Sequence, residues 1–152
     1  MGKIYNFILE SAIGTGITNS GKSFYIDWGR LPQGKYKVSF AFNSAIINTQ
    51  NTAIANIFVD LGQGSNTYIA QGPTASSSYR HNYLGFLLAT GTGVGNYLYC
   101  DAFTNPAIYI DQIPTNNSVT VEVHKNTGSL EANYDIPDIG PYTLVLNFEK
   151  QD

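Results

Sequence analysis

The amino-acid sequence predicts an all-β protein: one jelly-roll-like antiparallel β-sandwich of about 8–10 strands, with residues 1–152 forming a single domain. Apolar and polar residues alternate with a period of two along many short segments, which is the pattern of half-buried antiparallel strands. Turn-forming clusters rich in Gly, Pro, Asn and Ser separate these segments at intervals of roughly 8–12 residues. No segment of helical length combines a helical period with capping residues.

The alternation is clearest in the segments Lys35–Phe42, Ser118–His124 and Tyr142–Glu149. The residues expected to face the core are Tyr36, Val38, Phe40 and Phe42 in the first segment, Val119, Val121 and Val123 in the second, and Tyr142, Leu144, Leu146 and Phe148 in the third. His124 lies on the polar side of its segment, so we expect its side chain to be solvated.

Weaker strand signals fill most of the remaining chain. They are Ile4–Glu10, Ser23–Trp28, Ala53–Leu61, Asn66–Gln71, Asn82–Thr90, Asn96–Phe103 and Pro106–Ile113. The segment Asn43–Ala55 is the nearest to a helical pattern. Its β-branched and Asn/Thr content favours a short helix or a loop there.

Composition excludes some classes of partner. Only 12% of the residues are charged, the net charge is −3, and the eight basic residues form no cluster. Nucleic-acid binding needs clustered Lys and Arg, so we expect no direct contact with DNA or RNA. No apolar run approaches the roughly 20 residues of a membrane-spanning helix, so we expect no transmembrane segment. A surface of amides, hydroxyls and tyrosines favours contacts with protein or sugar.

One stretch matches a nucleotide-binding motif in form. Gly16–Ser23 reads GITNSGKS, and Asp60 ends a later apolar run as a Mg²⁺-binding acid would. The motif needs a helix that begins at Lys22 and Ser23, because the helix N-terminus supplies the phosphate-binding N–H groups. Here these residues lead into FYIDW, which alternates as a strand. We therefore interpret the stretch as a glycine-rich hairpin loop and expect no nucleotide cofactor.

The remaining chemical candidates are isolated along the chain. His81 and His124 stand in no metal-binding spacing, and Cys100 is the single cysteine, best interpreted as a small buried hydrophobe. Carboxylates such as Asp27, Asp60 and Asp101 stand beside turns, where Asp is favoured for local hydrogen bonds. The segment Asp135–Gly140 is too sparse in oxygen ligands for a dedicated Ca²⁺ loop. We expect no catalytic residue, no metal and no cofactor.

A cluster of contact-forming residues precedes one predicted strand. Tyr79, Arg80, His81 and Tyr83 stand close together in SSSYRHNY, and Tyr and Arg are typical anchors of protein interfaces. This segment is the candidate partner-contact loop.

Three longer stretches resemble a known family. They are FYIDWGRLPQGKYKVSFAFNS, NPAIYIDQIPTNNSVTVEV and GPYTLVLNFEK, which together reach from about Phe24 to Lys150. In order and spacing they resemble small jelly-roll minor capsid proteins of large icosahedral double-stranded DNA viruses and their virophage or polinton-like relatives. The shared motifs are strand and turn patterns, not a catalytic signature.

The resemblance implies a non-enzymatic protein of the virion shell, synthesised in the host cytoplasm, with no catalytic residues. Its partners would be the major capsid protein and other minor capsid proteins, with a homo-oligomer as a further option. The alternative is a carbohydrate-binding β-sandwich, which the tyrosines and amide-rich loops favour. A third class is enzymatic, with nucleotide hydrolysis at Lys22.

Overall fold

The computed structural model describes residues 2–16, 18–46, 54–62, 83–91, 94–125 and 139–151. Within these ranges the chain forms nine strands and a single 3₁₀ turn at Trp28–Arg30. The strands are β1 (Ile4–Glu10), β2 (Gly21–Tyr25), β3 (Lys35–Ile46), β4 (Ile54–Val59), β5 (Tyr83–Ala89), β6 (Tyr97–Cys100), β7 (Ile108–Ile110), β8 (Ser118–Lys125) and β9 (Ile139–Gln151). No helix in the described part of the chain is long and apolar enough to cross a membrane.

All strand pairs are antiparallel, and the strand order is β1-β9-β3-β6-β5-β4-β8-β2, with β7 also paired to β3. The order divides into two four-stranded sets, β1-β9-β3-β6 and β5-β4-β8-β2, as in a jelly roll built from two Greek keys. The short β5–β6 pairing joins the sets through Leu88 opposite Tyr99 and Ala89 opposite Leu98. The predicted fold class is confirmed: the sheet nearly closes into a barrel-like sandwich.

The longest pairing, β3 with β9, forms the middle of the first set. Alternate residues of both strands point into the sandwich because side chains change face at every residue of a strand. All core-facing residues expected from the sequence in β3, β8 and β9 are buried. The alternation of apolar residues therefore predicts the core correctly along these three strands.

An aromatic cluster fills the space beneath the 3₁₀ turn. Trp28 is 1% exposed, and its ring centroid lies 5.2 Å from that of Phe7 and 5.5 Å from that of Phe148. Its indole Nε1 donates to the carbonyl oxygen of Asn116 at 2.9 Å, so the buried polar atom is paired. The cluster ties β1, β9 and the segment before β8 to the start of the turn.

The expectation of a short helix or loop over Asn43–Ala55 is wrong at residues 43–46, whereas at residues 54–55 the overlapping prediction of a strand over Ala53–Leu61 is confirmed. Residues 43–46 continue β3 as a strand, and residues 54–55 begin β4. Pairing with β9 and β6 supplies hydrogen bonds to Asn43 and Ser44 that an isolated segment lacks, so tertiary context overrides weak local propensity. Residues 47–53, and the strand expected at Asn66–Gln71, lie outside the described residues.

His124 is also not where the sequence predicts. It follows the outward alternation of β8, yet it is only 3% exposed. Its ring packs edge-on against Phe58, with centroids 5.3 Å apart, and Phe58 itself contacts Tyr83. The outer face of β4, β5 and β8 thus carries a second buried cluster, which period-two alternation cannot predict.

Candidate functional site

A groove runs between β1 and the end of β2, the two strands that terminate the sheet order. Near-closure of the sandwich brings these edges together without a direct pairing of β1 with β2. The groove has a volume of about 560 Å³. We call it the seam groove; its lining residues are Ile4–Leu9, Ile13, Phe24–Asp27 and Arg30.

The seam groove is apolar at its floor and along its rim. Phe7, Leu9 and Phe24 form the floor, since their side chains point toward the core. The rim is exposed: Ile8 by 60% and Tyr25 by 77%. Exposed apolar side chains are common singly, but a group of them around a groove makes this surface a candidate contact site.

The charged residues of the seam groove engage each other. Arg30 Nε lies 3.6 Å from Asp27 Oδ2, and Asp27 Oδ1 accepts from the backbone N–H of Gly29 at 3.1 Å. Both side chains are largely exposed, so the ion pair adds little to stability. Because Asp27 and Arg30 pair with each other, the rest of the groove offers mainly apolar contacts.

The stretch that resembles a phosphate-binding loop borders the same edge. Lys22 and Ser23 belong to β2, so the prediction of a strand in place of a helix is confirmed at these residues. The strand is shorter than the expected Ser23–Trp28, because it ends at Tyr25 and Trp28 begins the 3₁₀ turn. Thr15 and Ser23 exchange two backbone hydrogen bonds of 2.8 Å, and Lys22 Nζ donates to the carbonyl oxygen of Gly16 at 3.0 Å. These bonds hold the loop against β2, and the Lys22 ammonium group is hydrogen-bonded to the backbone of the loop itself.

A second groove lies on the outer face of β1, β9 and β3. Its volume is about 620 Å³, and its lining combines Asn6, Lys37, Ser39, Asn147 and Glu149 with residues of the segment 102–107. We call it the outer-face groove. Phe103, at the tip of that segment, is 93% exposed.

Local hydrogen bonds fix the tip that carries Phe103. Asp101 Oδ1 accepts from the backbone N–H of Phe103 at 2.9 Å and from Thr104 Oγ1 at 3.0 Å. These hydrogen bonds lower the pKa of the Asp101 carboxyl, because they favour its charged form. Asp60 makes a similar turn bond to the N–H of Gly62 at 2.8 Å. Asp27, Asp60 and Asp101 therefore act as turn residues, as the sequence predicts.

The predicted contact loop is described only at its end. Tyr79, Arg80 and His81 lie outside the described residues. Tyr83 begins β5, is half-buried, and places its ring 5.6 Å from that of Phe58. Burial raises the pKa of the Tyr83 hydroxyl. The contact role of this loop stays a prediction.

The metal and thiol candidates remain separate among the described residues. No group of three or more His, Cys, Asp or Glu side chains in the described ranges is placed to hold a metal ion. Cys100 is buried, as predicted, and burial raises the pKa of its thiol to about 12, so it stays protonated at neutral pH. Of the sparse segment Asp135–Gly140, residues 135–138 lie outside the described residues.

Sequence reasoning did not identify Ile8, Ile13, Tyr25 or Phe103 as exposed apolar residues. A signal was present in β1, where Ile4 and Ile8 stand on the face opposite Tyr5, Phe7 and Leu9. Apolar residues on both faces are typical of strands that are covered on both sides, so this pattern was a signal for a contact surface. The chain matches no protein-family model, and no curated protein matches it in sequence.

Proposed function

We propose that this chain is a structural minor capsid protein of an icosahedral double-stranded DNA virus that links or cements capsomers of the major capsid protein. The observation that carries the proposal is the strand order β1-β9-β3-β6 and β5-β4-β8-β2. This is the jelly-roll order, which viral capsid domains share with lectins. The three stretches that resemble minor capsid proteins lie largely in β2, β3, β7, β8 and β9 of this order.

The surface of the chain supports a role in protein contacts. Large apolar side chains are exposed around the seam groove and at the tip of the segment 102–107. Interfaces place apolar and aromatic residues at their centre and have few charges there. Only 12% of the residues are charged. A shell component needs such surfaces because it is covered by neighbours on several sides.

Mass spectrometry of purified virus particles is the direct test. We expect the chain to be present at a fixed ratio to the major capsid protein and to stay with the particle through salt washes. Its absence from intact, purified particles would contradict the capsid role.

A binding experiment locates the contact. We expect purified capsomers of the major capsid protein to bind the chain, and the double variant Ile13→Lys, Tyr25→Ala to bind at least tenfold more weakly, since both residues line the rim of the seam groove. The matched control is Val94→Lys, which changes an equally exposed apolar residue outside the groove. Equal loss in the control would show that the seam groove is not the contact.

One observation favours a carbohydrate-binding module as the second candidate. Phe103 presents an almost fully exposed ring beside Asn6 and Asn147, and sugar rings stack on aromatic faces while their hydroxyls bond amides. On this alternative, a glycan array gives a signal that Phe103→Ala removes and Tyr97→Ala, an exposed aromatic outside the groove, retains. Absence of binding to every glycan would exclude it.

A further inference from the structure

The edge of β1 presents three residues whose backbone groups point away from the sheet. In an antiparallel pair, successive residues direct their N–H and C=O alternately toward and away from the neighbour. The N–H of Lys150 donates to the carbonyl of Lys3, and the N–H of Ser11 donates to the carbonyl of Tyr142, each at 3.0 Å. Odd-numbered residues of β1 thus face β9, and Ile4, Asn6 and Ile8 face outward.

Within the described part of the chain no segment pairs with this edge, and Phe24–Asp27 lie across the seam groove from it. Edge strands are normally blunted by Pro, Lys, a bulge or a covering segment. β1 contains no Pro or Lys, its register with β9 is continuous, and β9 is its only partner among the described strands. The opposite edge differs, because Thr15 covers Ser23 of β2.

The outward ladder has a defined centre. The carbonyl of Glu10 accepts from the N–H of Ile13 at 3.0 Å, so the open ladder ends at Ile8. The midpoint of Ile4, Asn6 and Ile8 is Asn6. If two such edges meet antiparallel about a twofold axis at Asn6, Ile4 of each copy lies opposite Ile8 of the other.

This register pairs exposed apolar residues and brings strand ends of unlike charge together. Ile4 is 49% and Ile8 is 60% exposed, and directly opposite side chains in an antiparallel pair cover each other. The exposed Lys3 stands at one end of the strand and the exposed Glu10 at the other. Antiparallel pairing about Asn6 places Lys3 of one copy opposite Leu9 of the other, one position from Glu10 and on the other face of the sheet, so ends of unlike charge meet without a direct ion pair. Parallel pairing would bring ends of like charge together.

We propose that a second copy of this chain pairs with β1 through its own β1, forming a twofold dimer with one continuous sheet across Asn6. Ile4–Ile8, Asn6–Asn6 and Ile8–Ile4 are then hydrogen-bonded pairs, each exchanging two N–H···O bonds. The contact is smaller than a standard protein interface, so the dimer dissociates on dilution. It does not depend on the capsid role and would hold for a carbohydrate-binding protein as well.

Cysteine cross-linking tests the register. Hydrogen-bonded antiparallel pairs have Cα atoms about 5.5 Å apart, within the disulfide range. With diamide as oxidant, we expect Asn6→Cys to give a covalent dimer. Ile4→Cys and Ile8→Cys should each stay monomeric alone but cross-link when mixed. The native Cys100 is buried and does not interfere. Cross-linking of Ile4→Cys with itself, or none for Asn6→Cys, would overturn the register.

Sedimentation of the full chain tests the dimer itself. We expect a monomer–dimer equilibrium for the wild type, a monomer for Ile8→Lys, and the wild-type equilibrium for Val94→Lys, which changes an exposed apolar residue between β5 and β6 that lines neither groove. Thermal unfolding should show that Ile8→Lys remains folded, since its side chain is exposed. A wild type that is monomeric at every concentration, or a dimer that survives Ile8→Lys, would refute the proposal.

Discussion

Asn105 binds both backbone polar groups of Phe86. Its Nδ2 donates to the Phe86 carbonyl oxygen at 3.0 Å, and its Oδ1 accepts from the Phe86 N–H at 2.9 Å. The side chain thereby replaces a neighbouring strand along this part of β5. It also anchors the segment 101–107, whose tip carries Phe103, to the sheet.

Removing this side chain should therefore destabilise the fold. Asn105→Ala leaves the N–H and C=O of Phe86 without their partner, and we expect the free energy of unfolding to fall by about 1–3 kcal/mol. Urea denaturation measures this change in the free energy of unfolding. The control is Asn43→Ala, an exposed asparagine on β3, which should change stability by less than about 0.5 kcal/mol. Equal losses in both variants would contradict the bracing role of Asn105.

Gly85 makes room for the same contact. A Cβ added to Gly85 would lie 2.6 Å from Cγ of Asn105 and 2.8 Å from Cε1 of Phe40, closer than real Cβ contacts allow. We expect Gly85→Ala to lower the free energy of unfolding by about 1–3 kcal/mol through overpacking. The matched control is Gly21→Ala, whose Cβ meets nothing within 4 Å. It should be neutral or stabilising by up to about 1 kcal/mol. If denaturant midpoints rank the two variants in reverse, the packing around Gly85 is not as described.

Two buried tyrosines should respond oppositely to loss of the hydroxyl. Tyr36 donates to the carbonyl oxygen of Pro32 at 2.5 Å, whereas the hydroxyl of Tyr142 has no hydrogen-bond partner among the described residues. Tyr36→Phe should cost about 0.5–1.5 kcal/mol, and Tyr142→Phe should be neutral or stabilising because it removes an unsatisfied buried polar atom. Thermal unfolding of the two variants measures both changes in stability. A larger loss of stability for Tyr142→Phe than for Tyr36→Phe would reveal a partner for the Tyr142 hydroxyl.

Alkaline pH should weaken the fold through Cys100 and the buried tyrosines. Burial raises the thiol pKa from 9.0 to about 12 and also raises the pKa of Tyr36 and Tyr142. The folded state then binds more protons than the unfolded state at high pH. Stability is fully present below pH 9 and falls as the pH rises toward 12.

Cys100→Ala isolates the contribution of the thiol. We expect the variant to lose less stability than the wild type between pH 9 and pH 12, measured as the shift in denaturant midpoint. Cys100→Ala also loses stability at neutral pH because its side chain is smaller, and this loss is the baseline for the comparison. Parallel pH profiles of the two proteins would show that the thiol does not ionise with unfolding in this range.

Lys22 should have no role in nucleotide binding. Its ammonium group bonds the Gly16 carbonyl, and β2 supplies no helix N-terminus for phosphates. Calorimetric titration of ATP with Mg²⁺ should give no saturable heat for the wild type or for Lys22→Ala. Saturable binding that disappears in Lys22→Ala would show that the dismissal of the nucleotide-binding motif is wrong.

Local sequence was sufficient to predict which residues face the core in β3, β8 and β9. Side-chain alternation is a property of the single strand, so Val38, Val121 and Leu146 could be assigned without knowing their neighbours. The strand after the glycine-rich stretch was predictable for the same reason. Turn roles of Asp27, Asp60 and Asp101 followed from the short reach of the aspartate side chain.

The tertiary structure alone decided which surfaces are covered and which remain open. His124 and Ile8 both stand on outward faces of their strands, yet His124 is buried against Phe58 and Ile8 is 60% exposed beside the seam groove. That difference depends on which segments pack over each face and on which strands end the sheet. These are relations between residues far apart in sequence, so local alternation carries no information about them.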